Sequence, residues 1–290
     1  MSKVAILTDS TCDLTQELIQ KYNLHILPLY VTFDGKSYKD FVEMTAKDMY
    51  EKAETEKIHP KTAAASVQDY YDFIIGFLKN DYEVVYCGIG KNLSSSYQNV
   101  FLVKSMIEEN HPEFEGKIHL VDSMSLSTGI SLTLLKMCEA RDLGKSASEI
   151  EEIGNNINKK VIAQFCVESL DYIHKGGRCT NSAKFFGTLL QIKPMLKVED
   201  GKLNVWKKSV GPFKKALNIM IDEFKQSLPN IDKDYLFVTH SEGDKYAEYI
   251  LKEIAEETKE FKNVYETKAG CVISSHCGRN TIGILYIKNE

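Results

Sequence analysis

No apolar run in the 290-residue chain approaches the ~18 residues of a membrane-spanning helix. The opening MSKVAILTDS lacks the apolar stretch and cleavage site of a secretory leader and starts a strand almost at once, so a cytoplasmic protein is expected. A basic excess is missing too. Lys and Arg number 36 against 41 Asp and Glu, a net charge of −5, which argues against a nucleic-acid surface. None of the seven cysteines (Cys12, Cys87, Cys138, Cys166, Cys179, Cys271 and Cys277) forms a CxxC pair, so they read as small buried apolar residues rather than disulfides. Nucleotide loops fail as well. The stretch Gly88-Ile89-Gly90-Lys91-Asn92 departs from GxxxxGK[ST] at Val85 and Asn92, and from GxGxxG at Leu93, so no ATP site is expected in this chain. There is no GxSxG nucleophile elbow, no low-complexity segment and no repeat of solenoid period.

What is present is ordinary soluble composition, 43% hydrophobic and 27% charged, with length for one large domain or two intimate ones. Three segments share one grammar. Val4–Leu7, Val84–Cys87 and Ile118–Val121 are short apolar runs, each followed by a hydroxyl- or glycine-rich turn and then residues at helical spacing. Strand, turn and helix repeated in this way predict a parallel α/β sheet, whose ligands gather beyond the carboxyl ends of the strands. Asp13 with Gln16, and Ser66 with Asp69, read as helix starts. His25–Val31 reads as a further strand ending at the turn Asp34-Gly35.

The polar stretch GKSASEIEEIGNNINKK after residue 145 reads as an exposed helix linking two α/β lobes, 1–150 and 151–290, with segments free to exchange across the boundary. In the second lobe, Glu199-Asp200-Gly201-Lys202 signals a hairpin and Phe213, Ala216, Leu217, Met220, Ile221 and Phe224 form a helical stripe. Tyr235–Thr239, Val264–Thr267 and Ile282–Ile287 read as strands of mixed direction, with a helix at Ala247, Ile250, Leu251 and Ile254.

CVISSHCG, residues 271–278, invites three chemistries. A zinc module could use Cys271, His276 and Cys277, but the spacing is unlike a CxxC pair, and neighbours on an extended segment point to opposite faces. An acyl hydrolase could use His276 with Cys277 or Ser94. The third chemistry is binding. Hydroxyls at Thr8, Ser10, Thr11, Thr62, Ser94, Ser95, Ser96, Ser123 and Ser125 fall at strand ends or helix starts. Singly they are helix caps; converging on one sheet edge they would suit an anion.

In order and spacing, AILTDSTCDL, LSSSYQNV, VDSMSLSTG, LDYIHKGGR, GTLLQIKPML with its following DG, and GCVISSHCGRNTIG resemble the DegV family, nearly end to end. That family comprises fatty-acid-binding proteins that serve as the lipid-carrying subunit of bacterial fatty acid kinase. The resemblance implies a two-lobed α/β fold holding one long-chain fatty acid, such as palmitate, stearate or oleate, in a tunnel between lobes. It implies no catalytic residue, cofactor or metal in this chain. The carboxylate would be phosphorylated by a separate ATP-binding, dihydroxyacetone-kinase-like subunit, with transient membrane contact allowed and no nucleic-acid partner. Thr62, Ser94 and His276 match the family's head-group residues, with Ser10, Ser95 and Ser96 as additional head-group or loop candidates. Arg178 of KGGR, together with Lys207 and Lys208, would face the partner. Phe165, Phe185, Phe186 and Leu189 are candidate tunnel walls, or ordinary core.

The chain departs from the family pattern in places. Ala63-Ala64-Ala65 replace Ser-Gln-Pro after Thr62, and Ser95 stands for glycine. Ser275 precedes His276 in place of glycine, Arg279-Asn280 replace Pro-Gly, and the segment 206–212 carries lysines where arginines are usual.

Overall fold

A computed structural model describes residues 3–179 and 192–289, and the three strand–turn–helix units stack in it as one parallel sheet. Strands β1 (Lys3–Asp9), β2 (His25–Leu27), β6 (Tyr82–Gly88) and β7 (Ile118–Asp122) lie in the order β2-β1-β6-β7. Alternation along each strand feeds two cores. Ala5, Leu7, Val84, Tyr86, Ile118 and Leu120 pack under α3 (Val67–Leu78) and α4 (Ser96–Asn110). On the other face Ile6, Val85, Cys87 and Val121 pack against α5 (Thr128–Asp142) and α6 (Ala147–Ile157), beside which α1 (Gln16–Lys21) contributes Leu18.

Pro28 ends β2, so the single strand expected over His25–Val31 is two. The second piece, β3 (Tyr30–Phe33), joins β4 (Lys36–Lys39) and β5 (Lys61–Ala63) in a small antiparallel sheet of order β4-β3-β5, flanked by α2 (Ala46–Glu56).

The remaining strands form a six-stranded mixed sheet, β10-β9-β8-β13-β11-β12. They are β8 (Val161–Cys166), β9 (Ile192–Glu199), β10 (Lys202–Val210), β11 (Ile231–Ser241), β12 (Asn263–Lys268) and β13 (Thr281–Lys288). Asp200 and Gly201, both at positive φ, close the β9–β10 hairpin as the sequence predicts. The stripe from Phe213 to Phe224 is the buried face of α8 (Phe213–Ser227). It shares a core with α9 (Asp244–Glu253), which runs into the short α10 (Ala255–Thr258). Helix α5 lies between the two large sheets and is buried almost all round, as a helix without a solvent face must be. Strands up to β7 lie in the first two sheets and those from β8 onward in the third, while α11 (Cys271–Cys277) packs back against α2, β3, β5 and α7 (Asp171–Gly176).

Three local expectations change. The helix start near Asp13 is capped by Thr15, whose hydroxyl accepts from Leu18 N; Asp13 is buried and used elsewhere. The polar helix after residue 145 does not span between lobes as an exposed rod. A Ser146–Glu149 capping box opens it, and Ala147, Ile150 and Gly154 bury one face against β6 and β7. Residues 271–277 are helical rather than extended, so the opposite-face argument about His276 and Cys277 does not apply.

Candidate binding site

A cavity of about 440 Å³ opens between the small sheet, the carboxyl ends of the parallel strands and the six-stranded sheet. That lies in the range usual for small-molecule sites. Leu29, Ile89, Leu93, Leu126, Phe165, Ile173, Leu203, Val272 and Leu285 supply apolar wall. Thr62, Ser94, Ser95, Asn99, Arg178 and His276 also line it.

Thr62 is the middle residue of β5, paired with Val31, which presents its hydroxyl from a fixed strand. His276 sits in the last turn of α11, and its Nε2 lies 2.9 Å from Thr62 Oγ1. The imidazole Nδ1 is buried against the Gly176 backbone, without a hydrogen bond of normal geometry, and the Gly176 carbonyl instead accepts from Arg178 Nη1 at 2.8 Å. Burial pushes the His276 pKa down to about 4, with the Arg178 guanidinium and His59 acting in the same direction and the Gly176 carbonyl against them. The ring is therefore neutral near pH 7.

The KGGR stretch has a physical reason. A Cβ on Gly176 would stand 2.6 Å from His276 Nδ1, so only glycine lets α7 approach the ring. Gly177, at φ +66°, terminates the helix in the left-handed region. Arg178 then turns back at the cavity wall, an exposed cation close to the imidazole.

On the opposite element, Gly90 N donates to Ser125 O, and Leu93 and Ser94 N–H groups fold back to Gly90 O. Ser94 Oγ accepts from Ser96 N at 3.2 Å and lies 3.0 Å from Ser96 Oγ. The fifteen-residue α4 thus points its N-terminus towards the cavity from the Ser94-Ser95 corner, a favourable end for negative charge.

Of the nine candidates from the sequence, the cavity wall unites Thr62, Ser94, Ser95, Arg178 and His276. Ser96 is buried behind Ser94 and does not line it. Ser10 is spent internally: its Oγ donates to Asp40 Oδ2 at 3.0 Å and accepts from Leu29 N at 3.1 Å. Lys207 is ion-paired with Glu223 of α8 and lies over the Trp206 ring, while Lys208 is exposed on edge strand β10. Phe165 lines the cavity; Phe185, Phe186 and Leu189 lie outside the described residues.

The geometry also bears on the hydrolase and zinc alternatives. Ser94 bonds to Ser96 rather than to His276, and among the described residues no carboxylate is bonded to the ring to orient it as a general base. Cys277 packs into the core beneath α5, and burial pushes its thiol up to about 12. Cys271 points the other way, into the small-sheet core, with its Sγ 3.1 Å from Met44 O. The two thiols therefore do not converge with His276 on one point.

Sequence reasoning missed three buried acids. Asp9 accepts from Thr11 N, Ile89 N at 3.0 Å and Tyr86 OH at 2.9 Å, fixing the loop that leads to Ser94. Asp13 accepts from Ser127 Oγ at 2.5 Å and Gly270 N at 2.9 Å. Asp40 accepts from Ser10 Oγ and from Cys271 N at 2.6 Å. Burial raises all three carboxyls, that of Asp40 to about 6. The available signal was Asp9 and Asp13 inside TDSTCD, residues read only as turn and cap.

Fold and site together define a two-lobed α/β protein, with a parallel sheet in one lobe, a mixed sheet in the other and a largely apolar cavity whose wall carries hydroxyls and a neutral histidine. The chain belongs to the DegV family, whose model it matches over residues 3–289. A DegV domain-containing protein of Clostridium acetobutylicum is 31% identical over 288 residues, covering 99% of each chain. Among solved structures, a fatty-acid-binding DegV family protein of Thermus thermophilus superimposes with a TM-score of 0.89 at 26% identity, covering 99% of this chain and 100% of that one. A stearic acid-binding protein of Eubacterium ventriosum gives 0.86 at 25% identity, covering 100% and 99%.

Proposed function

We propose that this protein is a carrier of one long-chain fatty acid, such as palmitate, stearate or oleate, and not itself an enzyme. The carboxylate would rest at Thr62, Ser94 and His276 and be presented to a separate ATP-binding kinase subunit. The observation that carries the proposal is the Thr62–His276 pair set into the wall of an otherwise largely apolar cavity. Fatty-acid binding by the Thermus and Eubacterium relatives supports the choice of ligand.

The energetics suit carriage. At about 0.8 kcal/mol per buried CH₂, a sixteen-carbon tail supplies on the order of 10 kcal/mol gross, so affinity can reside in the apolar wall. A buried carboxylate left unpaired would cost several kcal/mol, and hydroxyls with a helix N-terminus offset that cost. Neutral donors hold the oxygen while leaving it available to an electrophile, which an arginine clamp would not. Around this end Lys175 lies near His59, and His59 and Arg178 lie near His276. Such a rim favours an approaching phosphate donor even though the whole chain is acidic.

Native mass spectrometry of protein purified from cells tests the binding step. A co-purifying mass of palmitate, stearate or oleate supports it, and an empty protein that also fails to take up oleate refutes it. Adding a fatty acid kinase subunit with ATP, and trapping acyl phosphate with hydroxylamine, tests presentation separately.

A further inference from the structure

Helix α11 carries His276, yet its N-cap residue Gly270 has no side chain to satisfy the first N–H groups. Two carboxylates from distant segments do so instead: Gly270 N donates to Asp13 Oδ1 at 2.9 Å, and Cys271 N to Asp40 Oδ1 at 2.6 Å. Both acids are buried, and neither has a Lys or Arg ion-pair partner among the described residues. Their remaining oxygens accept from Ser127 and Ser10. Simple stability would be better served by neutral caps, because each buried carboxylate carries a desolvation cost.

The linkage runs straight to the site. Asp40 follows β4 in the small sheet that carries Thr62, and Asp40 N donates to Leu29 O at 2.9 Å. A seven-residue helix is about 10 Å long at 1.5 Å per residue. It is thus held to the neighbourhood of one sheet at both ends, by Asp40 at its start and by Thr62 at its last turn. Close approach at the start is also built in. A Cβ on Gly270 would stand closest to Phe41 Cε2, and 2.7 and 2.8 Å from the two Asp40 oxygens, although the residue's φ of −69° suits any side chain.

We propose that Asp13 and Asp40 are positioning residues, which seat the first turn of α11 so that His276 faces Thr62 across the cavity wall. The proposal deepens the carrier reading and rests on it for the role of His276. The groups that act on the imidazole are Thr62, Arg178, His59 and the Gly176 carbonyl; the acids reach it only through the helix.

The test follows the His276 ring by NMR in histidine-labelled protein, alongside oleate affinity and urea stability. The wild-type ring should titrate at about 4, and in Asp40→Asn its midpoint should move up towards the ordinary 6.5 as the ring loosens from its pocket. Oleate affinity should fall roughly tenfold, the scale of a lost hydrogen bond. Gly270→Ala, which crowds the Phe41 ring and the Asp40 carboxylate without changing charge, should move both readouts in the same direction, and it serves if Asp40→Asn does not fold. A folded variant with lowered stability but an unmoved His276 midpoint overturns the proposal. If wild type takes up no fatty acid, the carrier reading fails, while the His276 midpoint still decides the positioning role.

Discussion

Thr62→Val removes one hydroxyl and little else. Valine keeps the β-branched shape that suits β5, so the strand should form unchanged. His276 Nε2 then loses the partner at 2.9 Å, and its Nδ1 already lacks a regular one. Stability should fall by about 1 kcal/mol, the smaller end of the cost of an unpaired group, because Thr62 is only half-buried. Ligand affinity should fall further. A hydrogen bond to a charged group contributes about 1.5–3 kcal/mol, which at 1.4 kcal/mol per decade is roughly a 10- to 100-fold weaker Kd for oleate. The tail's contacts are untouched, so methyl oleate, which carries no charge, should lose much less. Titration calorimetry of delipidated protein with both ligands, with urea unfolding in parallel, measures all three quantities. An unchanged oleate Kd in folded Thr62→Val would show that the head group does not rest on this pair.

Two further outcomes follow from the titrating groups. The His276 pKa lies below its unfolded value of 6.5, at about 4, so its contribution is present above pH 6.5 and is lost as pH falls through that window, roughly 3 kcal/mol in all. Asp40, raised from 3.8 to about 6, has the opposite sign: its contribution is present in acid and is lost as pH rises through 6. Urea unfolding of His276→Gln should therefore show stability gaining on wild type as the solution is acidified, and parallel pH curves would sink this reasoning. The cysteines give a separate check, since all seven are buried thiols and burial holds that of Cys277 at about 12. Native protein should resist iodoacetamide at mildly alkaline pH and alkylate at seven sites only after denaturation; rapid native labelling of Cys277 would revive the thiol chemistry.

Much of the architecture was legible because local pattern and global packing agree. The apolar runs of β1, β6 and β7 are buried on both faces, and the α8 stripe matches its buried face residue for residue. The failures share a cause. Asp13 reads as a cap because an acid before a helix usually is one, but its carboxylate is needed by Gly270, 257 positions away. The helix after residue 145 looks exposed because its polar residues outnumber its three small or apolar anchors, and nothing local says that β6 and β7 lie beneath it. The same distance hid part of the site. Thr62, Ser94 and His276, matched by motif, do fall on the cavity wall, whereas Ser10, a further head-group candidate, is spent on Asp40 and Leu29. Gly176 carried a signal in plain view, two adjacent glycines before an arginine, but its reason is an imidazole one hundred residues later.

The separation between Asp13, Asp40 and Thr62 on one side and residues 270–276 on the other has a consequence for assembly. The hydrogen bonds from Asp13, Asp40 and Thr62 that seat α11 and His276 each close a loop of more than 200 residues. Contacts of such high order form slowly and late. A nascent chain emerging from the ribosome can complete the parallel sheet long before residue 270 is made, and the wall around the imidazole is then still open. The cavity, whose wall includes residues from Phe165 to Leu285, therefore cannot close on the first lobe alone. During that interval the apolar lining from Leu29 to Leu126 has no counterpart, which makes it the surface on which a folding intermediate would aggregate or be held by a chaperone.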